Sequence, residues 1–367
     1  MGNVITIVIP TLNAGPGFQR LLERIVSQRV SAAIEIVVID SGSTDGTPDV
    51  AHRAGAQVLA IPQRQFNHGR ARNQAISIAR GDYVVLTVQD ALPADANWLA
   101  ALVTALEDTT IAASYGLQVA PSDAAPLAQV RSLLWQRVHA EPQTQSVASP
   151  TAFWSLSPQE RLRLAVFDDV TACLRRSVWE RIPLPEMSFG EDLAWAVSVL
   201  LAGYRLAYVP DARVEHAHER PMTYELRRAF VNGRLRGRVL AWPPFALSQR
   251  TAFALWREAR QPQLLRKYGD LRDPALILER LDGELYHCNA HPAQPFLQIY
   301  RQVLEFAWSL VETARELFPG TNLPEGLWAQ CAQFATVAVI GEVLGTTSLA
   351  LHGPLWWALR YFLERGV

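Results

Sequence analysis

What most limits the fold of this chain is a repeating alternation, in which short β-branched apolar runs are each followed by a segment with helical spacing. Val4 to Ile9 is the first such run, stopped by Pro10, and its unbroken apolarity predicts a strand buried on both faces. Phe18, Leu21, Leu22, Ile25 and Val26 then recur at helical spacing. The pattern continues with a strand over Ile34 to Ile39, a helix over Thr47 to Ala54, a short strand over Gln57 to Ile61, a helix over Gly69 to Ala79 and a strand over Tyr83 to Val88. Strands alternating with helices predict an α/β domain around a mostly parallel sheet. In such sheets ligands bind beyond the carboxyl ends of the strands.

Polar residues gather at those ends. Thr11 and Asn13 follow the first strand, Asp40-Ser41-Gly42-Ser43-Thr44-Asp45 the second, and Gln89-Asp90 the fourth. Residues 120–158, rich in Pro, Ala, Ser and Gln, read as a long excursion. Asp168 to Trp179, a loop over Ser188 to Asp192, a helix over Leu193 to Ala202, a strand over Leu206 to Pro210 and Val214-Glu215-His216 complete a first domain. From about Tyr224 onward the pattern is helical. This places a boundary near Pro221, with a catalytic domain over 1–220 and a helical domain over 221–367 that serves acceptor, oligomer or membrane-surface contacts.

Charge narrows the function classes. With 34 basic and 35 acidic side chains the net charge is -1, which lacks the basic excess that broad phosphate neutralisation requires, so no nucleic-acid partner is expected. Cys173, Cys288 and Cys331 are widely spaced, form no C-x-x-C pair and fit a reducing cytoplasm. The opening MGNVITIVIP has no basic, cleavable leader, which reads against secretion.

Two stretches carry the chemistry of the first half. In Val37 to Thr47 an acid, Asp40, stands at a strand end before a turn of small residues. There its carboxylate can accept an N–H from a base edge while the glycines allow close approach, with Asp45 or Thr47 capping the next helix. Phe66-Asn67-His68-Gly69-Arg70-Ala71-Arg72-Asn73 opens a helix after a glycine-containing loop, where backbone N–H groups and an arginine favour phosphate. The bland alternative for Arg72 is an ion pair with Asp40 or Asp90, and for His68 an ordering role in the loop. Together with Ile7-Val8-Ile9-Pro10-Thr11-Leu12-Asn13 and Thr87-Val88-Gln89-Asp90-Ala91, these stretches resemble family 2 glycosyltransferases of the GT-A fold, in the rhamnosyltransferase-like branch, over about residues 4 to 236.

That resemblance implies a cytoplasmic enzyme of bacterial surface polysaccharide synthesis, peripheral at the inner face of the membrane. It would move a sugar from a nucleotide-diphosphate donor, such as dTDP-rhamnose, to a glycan or lipid-linked acceptor with inversion. It also implies donor contacts from Thr11, Asn13, Asp40, Ser43, His68, Arg72, Asn73, Gln89 and Asp90. Loss of the diphosphate leaves an anion, which a weakly held Mg²⁺ or Mn²⁺ can stabilise. Asp90 and His216 are its expected ligands, with His218 the competing choice for the histidine. The chain departs from the family's D-x-D pattern, since Gln89-Asp90-Ala91 holds one acid, which also leaves a metal-independent reaction open. Phe189-Gly190-Glu191-Asp192 resembles the family's acidic motif at a helix start, giving Asp192 as the general base and Glu191 as its neighbour orienting the loop or meeting the acceptor. The generic alternative is two acids complementing a helix dipole.

In the second half, five arginines fall within Arg227 to Arg238, a solvated helix face or a surface for phosphate or anionic lipid. Phe334 to Leu351 is of marginal length for a span and carries Glu342, which favours a buried or interfacial helix. Two rival readings are a non-catalytic nucleotide-binding scaffold and a dinucleotide-dependent oxidoreductase. The glycine fingerprint of the latter fails, because Gly15-Pro16-Gly17 is followed by Arg20 where a small residue is needed.

Overall fold

The structure is a computed structural model that describes residues 4–261, 294–319, 323–348 and 350–364. Cys288 lies outside the described residues, whereas Cys173 and Cys331 are buried free thiols. The chain forms two compact units, one of residues 1–122 and 136–217, the other of 123–135 and 218–367.

The first unit is built on nine strands: β1 (Val4–Thr11), β2 (Ala33–Asp40), β3 (Gln57–Ala60), β4 (Tyr83–Thr87), β5 (Leu92–Pro93), β6 (Ile111–Val119), β7 (Gln143–Gln145), β8 (Thr171–Arg175) and β9 (Arg205–Glu215). Their order is β3-β2-β1-β4-β8-β6-β9-β5, with β7 also on β9. β3, β2, β1 and β4 run parallel, as the strand and helix alternation requires. β8 enters antiparallel between β4 and β6, and β6 and β9 are parallel to each other.

This arrangement decides where the site lies. Because β8 is antiparallel to both neighbours, β6 and β9 point the same way as β1, β2 and β4, so all five end on one edge of the sheet. β8 begins there, with Thr171 opposite Thr87. Helices cover the faces. Gly17–Val26 buries Phe18, Leu21, Leu22 and Ile25 against a core that includes Ile7, Ile9, Val38, Val85 and Trp98. Each such side chain contributes about 1.5–3 kcal/mol when fully removed from water.

Three features differ from the sequence-based expectation. β6 was not foreseen. The helix before β9 starts at Glu191, so both acids of the motif are first-turn residues, after Gly190 at φ 77°. The stretch 120–158 is not a plain excursion: it holds the helix Pro126–Val138, the strand β7 and the helix Pro150–Ser155, whose N-terminus Ser149 caps by accepting from Ala152 N–H.

The second unit is helical, with Met222–Val239, Gln249–Arg260, Gln294–Leu317, Leu327–Thr347 and Pro354–Glu364 as its long elements. Leu327–Thr347 has the length and apolarity to cross a membrane, and here it is a mostly buried helix of the unit's core. Glycines let it approach Met222–Val239 very closely. A Cβ on Gly345 would fall 2.1 Å from the Phe230 carbonyl oxygen, and one on Gly341 2.6 Å from Ala229 Cβ. Glu342, costly in such a helix, bonds Asn232 and Arg236 across this crossing. The arginine-rich stretch is also engaged within the unit: Arg234 pairs with Glu364 and Arg227 stacks over Phe362.

Candidate active site

The shared carboxyl edge of the sheet collects the candidate residues. Thr11 and Asp40 are register partners at the ends of β1 and β2, and the Thr11 hydroxyl donates to Asp40 at 2.9 Å. Asp40 also accepts from the backbone N–H groups of Gly42 and Ser43 and from the Ser43 hydroxyl at 2.5 Å. These bonds hold its carboxyl below the usual range against the opposing effect of burial, so Asp40 is ionised at neutral pH. A base N–H reaching Asp40 must trade places with one of these donors. The loops after β1 and β2 are laced together by Asn13 N–H to Ser43, Thr44 N–H to Asn13, Ala14 N–H to Thr47 and Gly15 N–H to Asp45.

Gln89 explains the departure from the two-acid pattern. Its Oε1 accepts from Leu12 N–H at 2.8 Å and its Nε2 donates to the Leu12 carbonyl at 3.3 Å. Only an amide both donates and accepts in this way, and an acid would set a carboxylate against that carbonyl. Gln89 therefore fastens the β1 loop to the end of β4, one residue before Asp90.

The pairing of β5 with β9 sets Leu92 opposite Glu215, which brings the residues just outside that pair, Asp90 and His216, together. Asp90 Oδ1 lies 3.4 Å from His216 Nε2. His216 Nδ1 is 2.6 Å from Gln118 Oε1 at the end of β6, and Gln118 Nε2 donates to Asp168 just before β8. His218 is the first residue of the second unit.

The phenylalanine-asparagine-histidine-glycine motif has a positional role. Asn67 accepts from Arg70 N–H to cap its helix and donates to the Met187 carbonyl, while Arg70 pairs with Glu186 at 2.7 Å. A Cβ on Gly69 would sit 2.1 Å from the Pro185 carbonyl oxygen, so only glycine permits this contact. Asn73 accepts from Trp179 and Leu184 N–H and donates to the Leu184 carbonyl. The motif thus clamps the loop over 184–187 that leads to Glu191 and Asp192.

Arg72, 2% exposed, pairs with Asp169 at 3.1 Å and with Glu191 at 2.9 Å. The alternative reading of Arg72 as an ion-pair residue named Asp40 or Asp90, and the acids that meet it are Asp169 and Glu191. The side chains of Arg72 and Asn73, expected at the diphosphate from the helix start, are both engaged by protein partners. His68 stacks edge-on against Phe66 and lies 3.4 Å from Arg72, and desolvation with the nearby guanidinium lowers its pKa.

The acids form one electrostatic group. Burial and the neighbouring Asp169 carboxylate push Glu191 up to about 7. Asp192, whose Oδ1 accepts from Leu193 N–H at 2.7 Å, is raised well above the ordinary value by burial, then by Asp169, Glu191 and Asp168. Asp168 is raised chiefly by burial. Through Asp168 this group continues to Gln118, His216 and Asp90.

Comparison with known proteins gives the family. Residues 6–163 match the sequence profile of Glycosyl transferase family 2. An O-antigen chain rhamnosyltransferase of Salmonella anatum is 30% identical over 233 residues, 62% of this chain and 70% of that protein. Another from Salmonella typhimurium is 33% identical over 235 residues, 62% of this chain and 71% of that one. The chain belongs to glycosyl transferase family 2.

Among solved structures, this glycosyltransferase resembles a mannosyltransferase of Pyrobaculum calidifontis in complex with GDP-Man and Mn²⁺, with a TM-score of 0.52 and 21% identity over 94% of this chain and 87% of that one. That likeness shows the GT-A fold. Three residues of the glycosyltransferase's site escaped the reading of its sequence. Gln118 stands next to the end of a strand too rich in small residues to be noticed, and Asp168 and Asp169 fell within the segment Asp168 to Trp179, which was given no role beyond completing the first domain. Two adjacent acids before the apolar run of β8 were the available signal.

Chemically, the edge offers a carboxylate and imidazole pair that suits a divalent cation, and, linked to it through Asp168, a half-buried acid, Asp192, with raised proton affinity. A cation held at about 2.1 Å by each ligand spans ligand atoms about 3 Å apart, and the Asp90 to His216 separation of 3.4 Å is close to that.

Proposed function

We propose that this enzyme transfers a deoxysugar, rhamnose, from a dTDP-linked donor to a hydroxyl of a glycan or lipid-linked glycan, with inversion. The donor sugar is suggested by the two rhamnosyltransferases of similar sequence. The observation that carries the chemistry is the Asp90 and His216 pair at the sheet edge, joined through Gln118 and Asp168 to the acids around Asp192 at the start of helix Glu191–Leu201.

Asp192 serves as the general base. As the acceptor oxygen forms its bond to the anomeric carbon, its proton passes to the Asp192 carboxylate and the bond to the diphosphate oxygen breaks with its electron pair leaving on the diphosphate. One displacement from the opposite face inverts the anomeric centre. Asp90 and His216 would hold Mg²⁺ or Mn²⁺, which when bound neutralises the departing diphosphate. Asp40, Thr11, Asn13 and Ser43 shape the nucleoside end. Arg72 keeps Glu191 and Asp169 fixed beneath the base, and residues 1–220 act as the catalytic domain.

Incubation with a panel of nucleotide sugars and Mn²⁺ tests this reading. Release of dTDP from dTDP-rhamnose is expected to exceed release of the nucleotide from UDP-, GDP- or ADP-linked sugars. Binding of dTDP without release from any donor would point to a scaffold instead.

A further inference from the structure

Gln118 is a neutral side chain in a charged setting, and both ends of its amide are assigned. Asp168 takes two N–H donors, Val170 N–H on Oδ1 at 3.0 Å and Gln118 Nε2 on Oδ2. In its ionised form the Asp168 carboxyl can only accept, and it then fixes which end of the Gln118 amide faces it. The opposite end, Oε1, then faces His216 Nδ1 at 2.6 Å. An amide oxygen can only accept, so His216 must carry its proton on Nδ1. The main chain at His216 is held to the same strand, since its backbone N–H donates to the Val119 carbonyl at 2.9 Å, next to Gln118 in β6.

We propose that Gln118, oriented by Asp168, is a positioning residue that holds His216 as the Nδ1–H tautomer and directs its Nε2 lone pair toward Asp90. The idea deepens the metal reading given above, because a histidine ligand needs an unprotonated nitrogen aimed at the ion and a partner on the other nitrogen that fixes the tautomer. It also accounts for a half-buried acid with no place in the displacement: Asp168 sets the direction of the amide.

The test uses the full chain labelled with ring-¹⁵N histidine, kept metal-free with a chelator at mildly alkaline pH. The His216 signals are assigned by their loss in His216→Gln. Two-bond ¹H–¹⁵N correlation is expected to show a proton on Nδ1, whether or not the Asp90 carboxylate also draws one to Nε2 while the cation is absent. A ring protonated on Nε2 alone overturns the proposal, and this arm needs no altered site. In Gln118→Leu the two tautomers should mix, and in Asp168→Asn the amide is free to turn over and the proton should move to Nε2. In both, the Kd for Mn²⁺ alone, read by electron paramagnetic resonance, should rise about 10–100-fold. An unchanged tautomer and an unchanged Kd in folded forms of both variants would also overturn it. If the wild-type ring shows the expected tautomer and shifts with these variants but binds no Mn²⁺, the positioning role stands and the metal reading fails.

Discussion

Asp192→Asn is expected to lower kcat about 10²–10⁴-fold, the usual worth of a positioned general base, while dTDP binding stays within experimental error of wild type. The same residue fixes the pH profile. Burial, with Asp169, Glu191 and Asp168 nearby, keeps its proton to higher pH than an ordinary carboxyl. The ionised form is the active one, so the wild-type rate should climb with pH along a limb lying above the usual carboxylate range. The residual rate of the Asn variant should lack that limb. Steady-state rates against pH for the two proteins check this, and equal kcat would remove Asp192 from the role of base.

Arg72→Met is expected to be strongly destabilising to the first unit. It leaves Asp169 and Glu191 buried against each other without their shared cation, and breaking a buried ion pair from one side costs about 3–5 kcal/mol. Urea denaturation measures the loss, and pH gives it a signature. In the folded wild type Glu191 holds its proton up to about 7, whereas in the unfolded chain it releases it in the ordinary glutamate range. Between those values the folded state binds more protons, so this group's contribution to stability falls as pH rises. Without Arg72, which opposes that shift, the fall should extend to higher pH. Adding Glu191→Gln should recover much of the loss, and a fully additive double variant would show that the two residues are not coupled.

The strands that were legible in the sequence are those whose apolarity is continuous: β1, β2 and β4 are Val and Ile runs buried on both faces, and no other element fits such a pattern. β6 was missed because Ala112, Ala113, Ser114 and Gly116 give it little β-branched character, although it lies between β8 and β9. The same omission hid Gln118. The placement of the candidate residues was legible where a motif pairs a residue with a strand end, as for Asp40, Asp90 and His216, or with a helix start, as for Asp192. It was less legible where a charge pairs within the fold. Arg72 stands at a helix start that suits phosphate, but the antiparallel entry of β8 brings Asp169 beneath it, and nothing local in the sequence announces that crossing. Gln89 taught the reverse: the absent acid is a residue that fastens a loop.

The central claim is that Asp90 and His216 bind the diphosphate of an activated sugar through a shared cation at the edge where the strands end. Calorimetric titration of dTDP into wild type and into the Asp90→Ala/His216→Ala variant, each with Mn²⁺ and with chelator, tests it most directly. Saturable binding of dTDP by wild type only when Mn²⁺ is present, and its loss in the variant, is the expected result. Equal affinity in all four titrations, or none in wild type with Mn²⁺, would contradict it.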